Sequence, residues 1–210
     1  MRLAILGAGG HGRVVADAAQ CGGWTRIEFY DDAADGAGPW NVCGDTAALL
    51  DRLDDYDGVV VAIGRNGSRQ GLQRQLGAAG ARLATIVHPA AIVSSHASLG
   101  PGSVVFAGAI VNAGVAAGEG VILNTGCAID HDCLLGDFTH VGPRAALGGG
   151  VQLGLRTWIG IGASVNHLVR IGRDSIVGGG AAVVSNLPSG VTAVGVPARA
   201  LRRSPPSFQT

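Results

Sequence analysis

The sequence predicts a small parallel α/β domain followed by a three-sided parallel β-solenoid, and three observations predict it. A glycine-rich turn joins an apolar strand to a helix at the start of the chain. A period of six runs without a slip from Val93 to Val183. The composition holds 36 Gly and 47% hydrophobic residues but only 4% aromatic and 14% charged, which suits a fold that packs small aliphatic side chains in flat layers. At 210 residues the chain has room for one large domain or two small ones.

The first element is an apolar strand at Arg2 to Leu6, followed by Gly7-Ala8-Gly9-Gly10-His11-Gly12 and a helix at Arg13 to Cys21 with Val14, Val15 and Ala18 on its apolar face. A second strand, Ile27 to Tyr30, ends in Asp31-Asp32. A third, Gly58 to Ile63, ends in Gly64, and Leu83 to Val87 reads as a fourth. Strands alternating with helices predict a parallel sheet with a crevice at its carboxyl edge. The turn satisfies G-x-G-x-x-G in the strand-to-helix context, and Asp31 stands near the acidic position that binds a ribose. The domain is about half a complete dinucleotide fold, so a mononucleotide with its phosphates is the better fit than NAD. A glycine turn that only packs helix on sheet is the plainer alternative.

From Val93 every sixth residue is Leu, Ile or Val except Ala117. Four residues after each stands a small one, such as Ala109, Cys127, Cys133, Thr157 or Ala181. A helix needs a spacing near 3.6 and tolerates little glycine, so the period predicts short strands with one large and one small inward position per side. Three sides make a coil of about 18 residues, and residues 93 to 182 then form about five coils stacked roughly 4.8 Å apart. The glycine that often follows the aliphatic residue, as at Gly100, Gly118 and Gly142, is expected to take the positive φ of the corner. Cys127 and Cys133 fall in small inward slots and read as core.

With 15 basic and 15 acidic residues the formal net charge is zero, so no field steers the chain to nucleic acid or an anionic membrane. No 18-residue apolar run, cleavable leader or Cys-x-x-Cys pair is evident. The expectation is a cytoplasmic protein with reduced thiols, a small-molecule partner and no membrane insertion.

The run of Leu/Ile/Val, Gly, two variable positions and a small residue resembles the left-handed parallel β-helix of the hexapeptide-repeat acyltransferases. With the front segments the resemblance narrows to bacterial sugar acetyltransferases, which include sialic acid O-acetyltransferases and N-acetyltransferases of nucleotide-linked 4-amino sugars. It rests on Gly7 to Gly12, Asp31-Asp32, Ala62-Ile63-Gly64, Ile86 to Pro89, Asn124 to Cys133, Gly178 to Gly180 and Gly195 to Ala198. The implied fold is an α/β half-Rossmann domain at 1–87, a left-handed β-helix of hexapeptide repeats at 88–203 and a flexible tail at 204–210. The implied activity is transfer of an acetyl group from acetyl-CoA, as co-substrate, to a nucleotide-linked amino sugar for surface glycan synthesis, with O-acetylation of sialic acid or another sugar as the alternative. A homotrimer with CoA in the groove between two prisms is implied too.

Carried over residue by residue, the resemblance assigns Gly9, Gly10, His11, Asp31, Asp32 and Gly64 to the nucleotide sugar. It assigns His140, Gly149, Ile161 and Gly179 to acetyl-CoA, and His131 with Asp132 to catalysis. Spacing alone leaves His131 open between an exposed histidine and a base; in the family the histidine followed by an acidic residue in this coil is the general base. Gly149 is also a candidate oxyanion donor through its N–H. No nucleophile elbow is present, which predicts direct attack in one step. A zinc hydratase on the same solenoid is the rival from another class. It needs three histidine ligands on neighbouring coils, and His96, His131, His140 and His167 follow one another at 35, 9 and 27 residues, a poor match to ligands on adjacent coils, so no metal is expected. A non-catalytic nucleotide-sugar sensor is the third reading.

Overall fold

The computed structural model describes residues 1–33 and 36–201. The tail expected at 204–210, and the last two residues of the segment 88–203, lie outside them.

Three parallel strands, β1 (Arg2–Leu6), β2 (Arg26–Tyr30) and β3 (Gly58–Val61), form the front sheet in the order β2-β1-β3. Helix α1 (Gly10–Cys21) covers one face, and α2 (Thr46–Leu50) and α3 (Asn66–Ala78) belong to the other. Helix α1 buries Val15, Ala16, Ala18 and Ala19, while Val14, expected on the apolar face, is exposed. The fourth front strand does not form. Leu83 makes a single bridge to Val59, and Ile86–Val87 pairs with Val104–Val105 as the first rung of the solenoid.

The solenoid starts one repeat earlier than the aliphatic series suggested. Its face A stacks Ile86–Val87, Val104–Val105, Ile122–Leu123, His140–Val141, Trp158–Ile159 and Ile176–Val177 at 18-residue intervals, followed by Thr192–Val194 and an antiparallel edge strand at Arg199–Ala200. Face B runs from Ile92–Val93 to Ala182–Val183 and face C from Ser98–Leu99 to Arg170–Ile171. Large and small inward residues make one core, which includes Cys127 and Cys133. Burial pushes the Cys127 thiol up to about 12, so it behaves as a small apolar filler.

The corner glycines divide into two kinds, and this corrects the expectation from the repeat. Positive φ falls three residues after the aliphatic position, at Gly102, Gly108, Gly114, Gly120, Gly126, Gly150, Gly162 and Gly180, and also at Asp132, Phe138, Arg144, Arg156, Leu168 and Asp174. The glycine directly after the aliphatic residue has another reason. A Cβ on Gly142 would stand 2.8 Å from the Ile159 carbonyl oxygen of the next coil. Close approach of backbones, not left-handed conformation, excludes a side chain there.

Face A is the seat of the front domain. Ile86, Val104, Phe106 and Ile122 join one core cluster with Leu3, Ile5, Val15 and Phe29. Face B carries Ile92, Ile110, Ala128, Ala146, Ser164 and Ala182 outward, a strip without charge.

Candidate active site

The three strand ends of the front sheet converge at its carboxyl edge. Gly7, with φ +115°, makes the tight turn, and a Cβ on Gly12 would stand 1.9 Å from the Gly7 carbonyl oxygen, so the turn and the helix approach require both glycines. Gly9, Gly10 and Gly64 face open space. Asp31 is engaged with this turn: its Oδ2 accepts from the Ala8 N–H at 2.7 Å and its Oδ1 from Ala33 N–H. Asp32 accepts from the Thr46 N–H and hydroxyl, anchoring α2. The two acids therefore shape the rim of this crevice.

His11 packs against face A of the β-helix. Its ring meets Phe106 edge-on at 5.5 Å and lies 6.4 Å from His140. Burial and the nearby Arg69 charge depress His11 to about 4. His140 is buried on face A, stacked on Trp158 at 5.4 Å between ring centres. Thr125 N–H donates to Asn124 Oδ1, so the Asn124 amide nitrogen faces His140 Nε2 at 3.1 Å. Nε2 is then the acceptor and Nδ1 carries the proton; Nδ1 is buried without a hydrogen-bond partner, and the nearby Gly64 backbone pulls the pKa up. Burial first, and the charge of Arg69, hold His140 at about 3 all the same. His140 is thus a neutral group of the junction between front domain and β-helix. Beside it, Gly64, Arg65, Asn66, Trp158 and Ile176 line an open cavity of about 650 Å³.

His131 and Asp132 lie on another edge. They occupy the corner between faces B and C, where Asp132 takes φ 58°, a conformation Asp tolerates. Its Oδ2 stands 2.8 Å from His131 Nδ1. The carboxylate places the imidazole proton on Nδ1 and leaves the Nε2 lone pair free. The Asp132 hydrogen bond, then the Asp130 charge, raise the pKa of this exposed imidazole. Gly149 comes next on the same edge, where Gly150 N–H donates to the His131 carbonyl. Among the described residues the Gly149 N–H has no hydrogen-bond partner. His131, Gly149 and His167 border one cavity of about 540 Å³.

Ile161 and Gly179 stand together on the third kind of edge, between faces A and B, where a Cβ on Gly179 would meet Ile161 Cγ2 at 3.1 Å. Ile161 is exposed. One chain therefore spreads the assigned residues: Gly9, Gly10, Asp31 and Asp32 at the carboxyl edge of the front sheet, His11, Gly64 and His140 at the junction, Ile161 with Gly179 on the A–B edge, and His131, Asp132 and Gly149 on the B–C edge. As for three histidines around one metal, His131 and His167 share an edge two coils apart, with Gly149 between them, and His140 is on face A.

Comparison with known proteins bears on this arrangement. Residues 2–76 match the family described as the PglD N-terminal domain. The acetyltransferase domain of PglB from Neisseria gonorrhoeae FA1090, solved in complex with acetyl coenzyme A, is 40% identical, with a TM-score of 0.93 over 95% of this chain and 98% of that one. The chain belongs to the sugar acetyltransferases of the hexapeptide-repeat superfamily. A second member, PerB from Caulobacter crescentus, solved in complex with CoA and GDP-perosamine, is 41% identical, with a TM-score of 0.92 over 96% of this chain and 98% of that one. UDP-N-acetylbacillosamine N-acetyltransferase of Bacillus subtilis (strain 168) is 38% identical over 108 residues, 49% of this chain and 50% of that protein, so the match spans about half the length of this curated relative.

For a sugar acetyltransferase the junction has features the sequence did not reveal. Arg69 is buried, and so are Asn66, Gln70 and Gln73 on α3. Their spacing of three, four and seven residues puts them on one helix face, but a polar stripe ordinarily marks a solvated face. Trp158, the partner of His140, was missed because its outward position looks like any other on the repeat.

Proposed function

We propose that the protein is an acetyl-CoA-dependent N-acetyltransferase acting on the amino group of a nucleotide-linked sugar, in the cytoplasm, for surface glycan synthesis. Relatives that bear on the substrate are PerB, solved with GDP-perosamine, and the Bacillus enzyme named for UDP-N-acetylbacillosamine. The observation that carries the reading is the His131 site: a tautomer fixed by Asp132, a free Nε2, and an unpartnered Gly149 N–H in one open cavity. In the reaction the sugar amine attacks the thioester carbonyl. The amine proton passes to His131 Nε2, the Gly149 N–H faces the developing oxyanion, and the C–S bond breaks. His131 then gives the proton to the leaving CoA sulfur, so one step exchanges a thioester for an amide.

The same geometry supports a homotrimer. The nucleotide loops sit over face A, while His131 lies on the opposite B–C edge of the prism. Reaction requires atoms about 3–3.5 Å apart. Base and acceptor must then come from different chains, and the uncharged strip of face B is suited to lie against a neighbouring prism. Ile161 and Gly179 on the A–B edge would line the groove for CoA.

Thiol release from acetyl-CoA with UDP- and GDP-linked 4-amino sugars, against the 4-hydroxy counterparts, tests the function. Turnover of an amino sugar alone is expected. Turnover of only hydroxy sugars would make the protein an O-acetyltransferase, and no thiol release with any acceptor would favour a sensor.

A further inference from the structure

Helix α3 lies along the edge between faces C and A. The helix pitch, about 5.4 Å, nearly equals the coil spacing of about 4.8 Å, so successive turns of α3 meet successive coils. Gln73 Nε2 donates to the Pro101 carbonyl, Arg69 to the carbonyls of Gly120 and Phe138, and Asn66 Nδ2 to that of Arg156. Where Gln73 meets the edge, the edge carries glycine. A Cβ on Gly102 or Gly120 would stand 2.2 or 3.1 Å from Gln73 Oε1.

Arg69 is the centre of this rail. It is 1% exposed and no carboxylate is among its hydrogen-bond partners. Its Nε donates to Gly120 O at 2.8 Å, one terminal nitrogen to Ile63 O at 2.9 Å and Gly64 O at 3.2 Å, and the other to Asn66 Oδ1 and Phe138 O, both at 2.9 Å. A buried cation without an anion is costly, and oxygen dipoles only partly offset that cost. Burial lowers its pKa to about 10. A side chain that were only filler would be apolar. This one joins the loop that carries Gly64 to the coil that carries His140.

We propose that Arg69 is a positioning residue whose guanidinium fork fixes the Ile63–Gly64 loop against the β-helix and so sets the nucleotide-sugar loop in register with the rest of the site. The inference rests on the reading of Gly64 as part of the nucleotide-sugar site. The planar fork, which bonds in several directions at once, is what a lysine lacks.

Arg69→Met and Arg69→Lys in the full chain test it, with GDP, UDP and CoA titrated calorimetrically and folding followed by circular dichroism. The dissociation constant of whichever nucleoside diphosphate the wild type binds should rise at least tenfold in both variants, while that of CoA changes less than twofold. A folded Arg69→Met with wild-type nucleotide affinity overturns the proposal. So does an equal loss for nucleotide and CoA, the mark of general disorder, or full recovery in Arg69→Lys, which would make charge rather than the fork decisive. If Arg69→Met does not fold, Arg69→Lys decides by the same two constants. A wild type that binds CoA but neither diphosphate removes the nucleotide-sugar reading and this proposal with it, whereas normal wild-type binding with unaltered variants removes only the role of Arg69.

Discussion

The imidazole of His131 lies directly over Gly149 of the next coil, so that a Cβ at residue 149 would stand 2.5 Å from Nε2 and 2.7 Å from Cε1. The contact is with the far end of an exposed side chain, so a methyl group moves the ring rather than the backbone. Gly149→Ala should therefore leave the melting temperature nearly unchanged and lower kcat by about 10² through misplacement of the base. Steady-state kinetics beside a thermal melt check this. A variant with normal kcat would show that the ring position is not critical.

The pH dependence of kcat follows from the His131 surroundings. Asp132 and Asp130 raise its pKa, and with the neutral imidazole as the proposed base, activity should rise with pH through a limb above the ordinary value of about 6.5. Asp132→Asn removes the larger cause. Its limb should move to lower pH, and its plateau should fall because the Nδ1 proton is no longer held by a carboxylate. An unmoved limb in Asp132→Asn would mean that another group titrates.

The two kinds of corner glycine predict different costs. Gly142→Ala pushes a Cβ against the backbone of the next coil and should destabilise by about 1–3 kcal/mol. Gly162, with φ +63°, has open space around its missing Cβ, and Phe138 and Leu168 hold the same conformation elsewhere. Gly162→Ala should cost about 1 kcal/mol. Chemical denaturation of both variants gives the order, and the reverse order would refute the close-approach explanation.

Most of the fold was legible because the solenoid repeats its constraint in every coil. One aliphatic and one small residue per six leave few alternatives to flat stacked strands. The front turn was legible for the same reason, as Gly7 and Gly12 each satisfy a steric demand that no other residue meets. The exact glycine of the corner was not, since frequency marks the position of closest approach while the positive-φ position accepts Asp132, Phe138 or Arg156. Nor was the division of the site among edges, which depends on which of three equivalent sides the front domain covers. That choice is made by contacts distant in sequence, such as Arg69 with Gly120, and leaves no local period.

A site shared between chains predicts complementation. His131→Ala lacks the base, and Gly10→Trp should block the open nucleotide turn. Co-assembled at equal amounts, two such inactive chains should place intact halves together at about a quarter of the sites and recover about a quarter of wild-type activity. Sedimentation of the wild type should show three chains of 21.0 kDa per particle. No recovery in a mixed trimer would put the whole site in one chain.

The most direct test of the central claim is the turnover of His131→Asn with acetyl-CoA and a nucleotide-linked amino sugar both saturating. His131→Asn should keep the trimer and both binding constants and lose about 10² to 10⁴ in kcat, the usual worth of a positioned general base. A kcat near that of the wild type would contradict the account and place the base elsewhere.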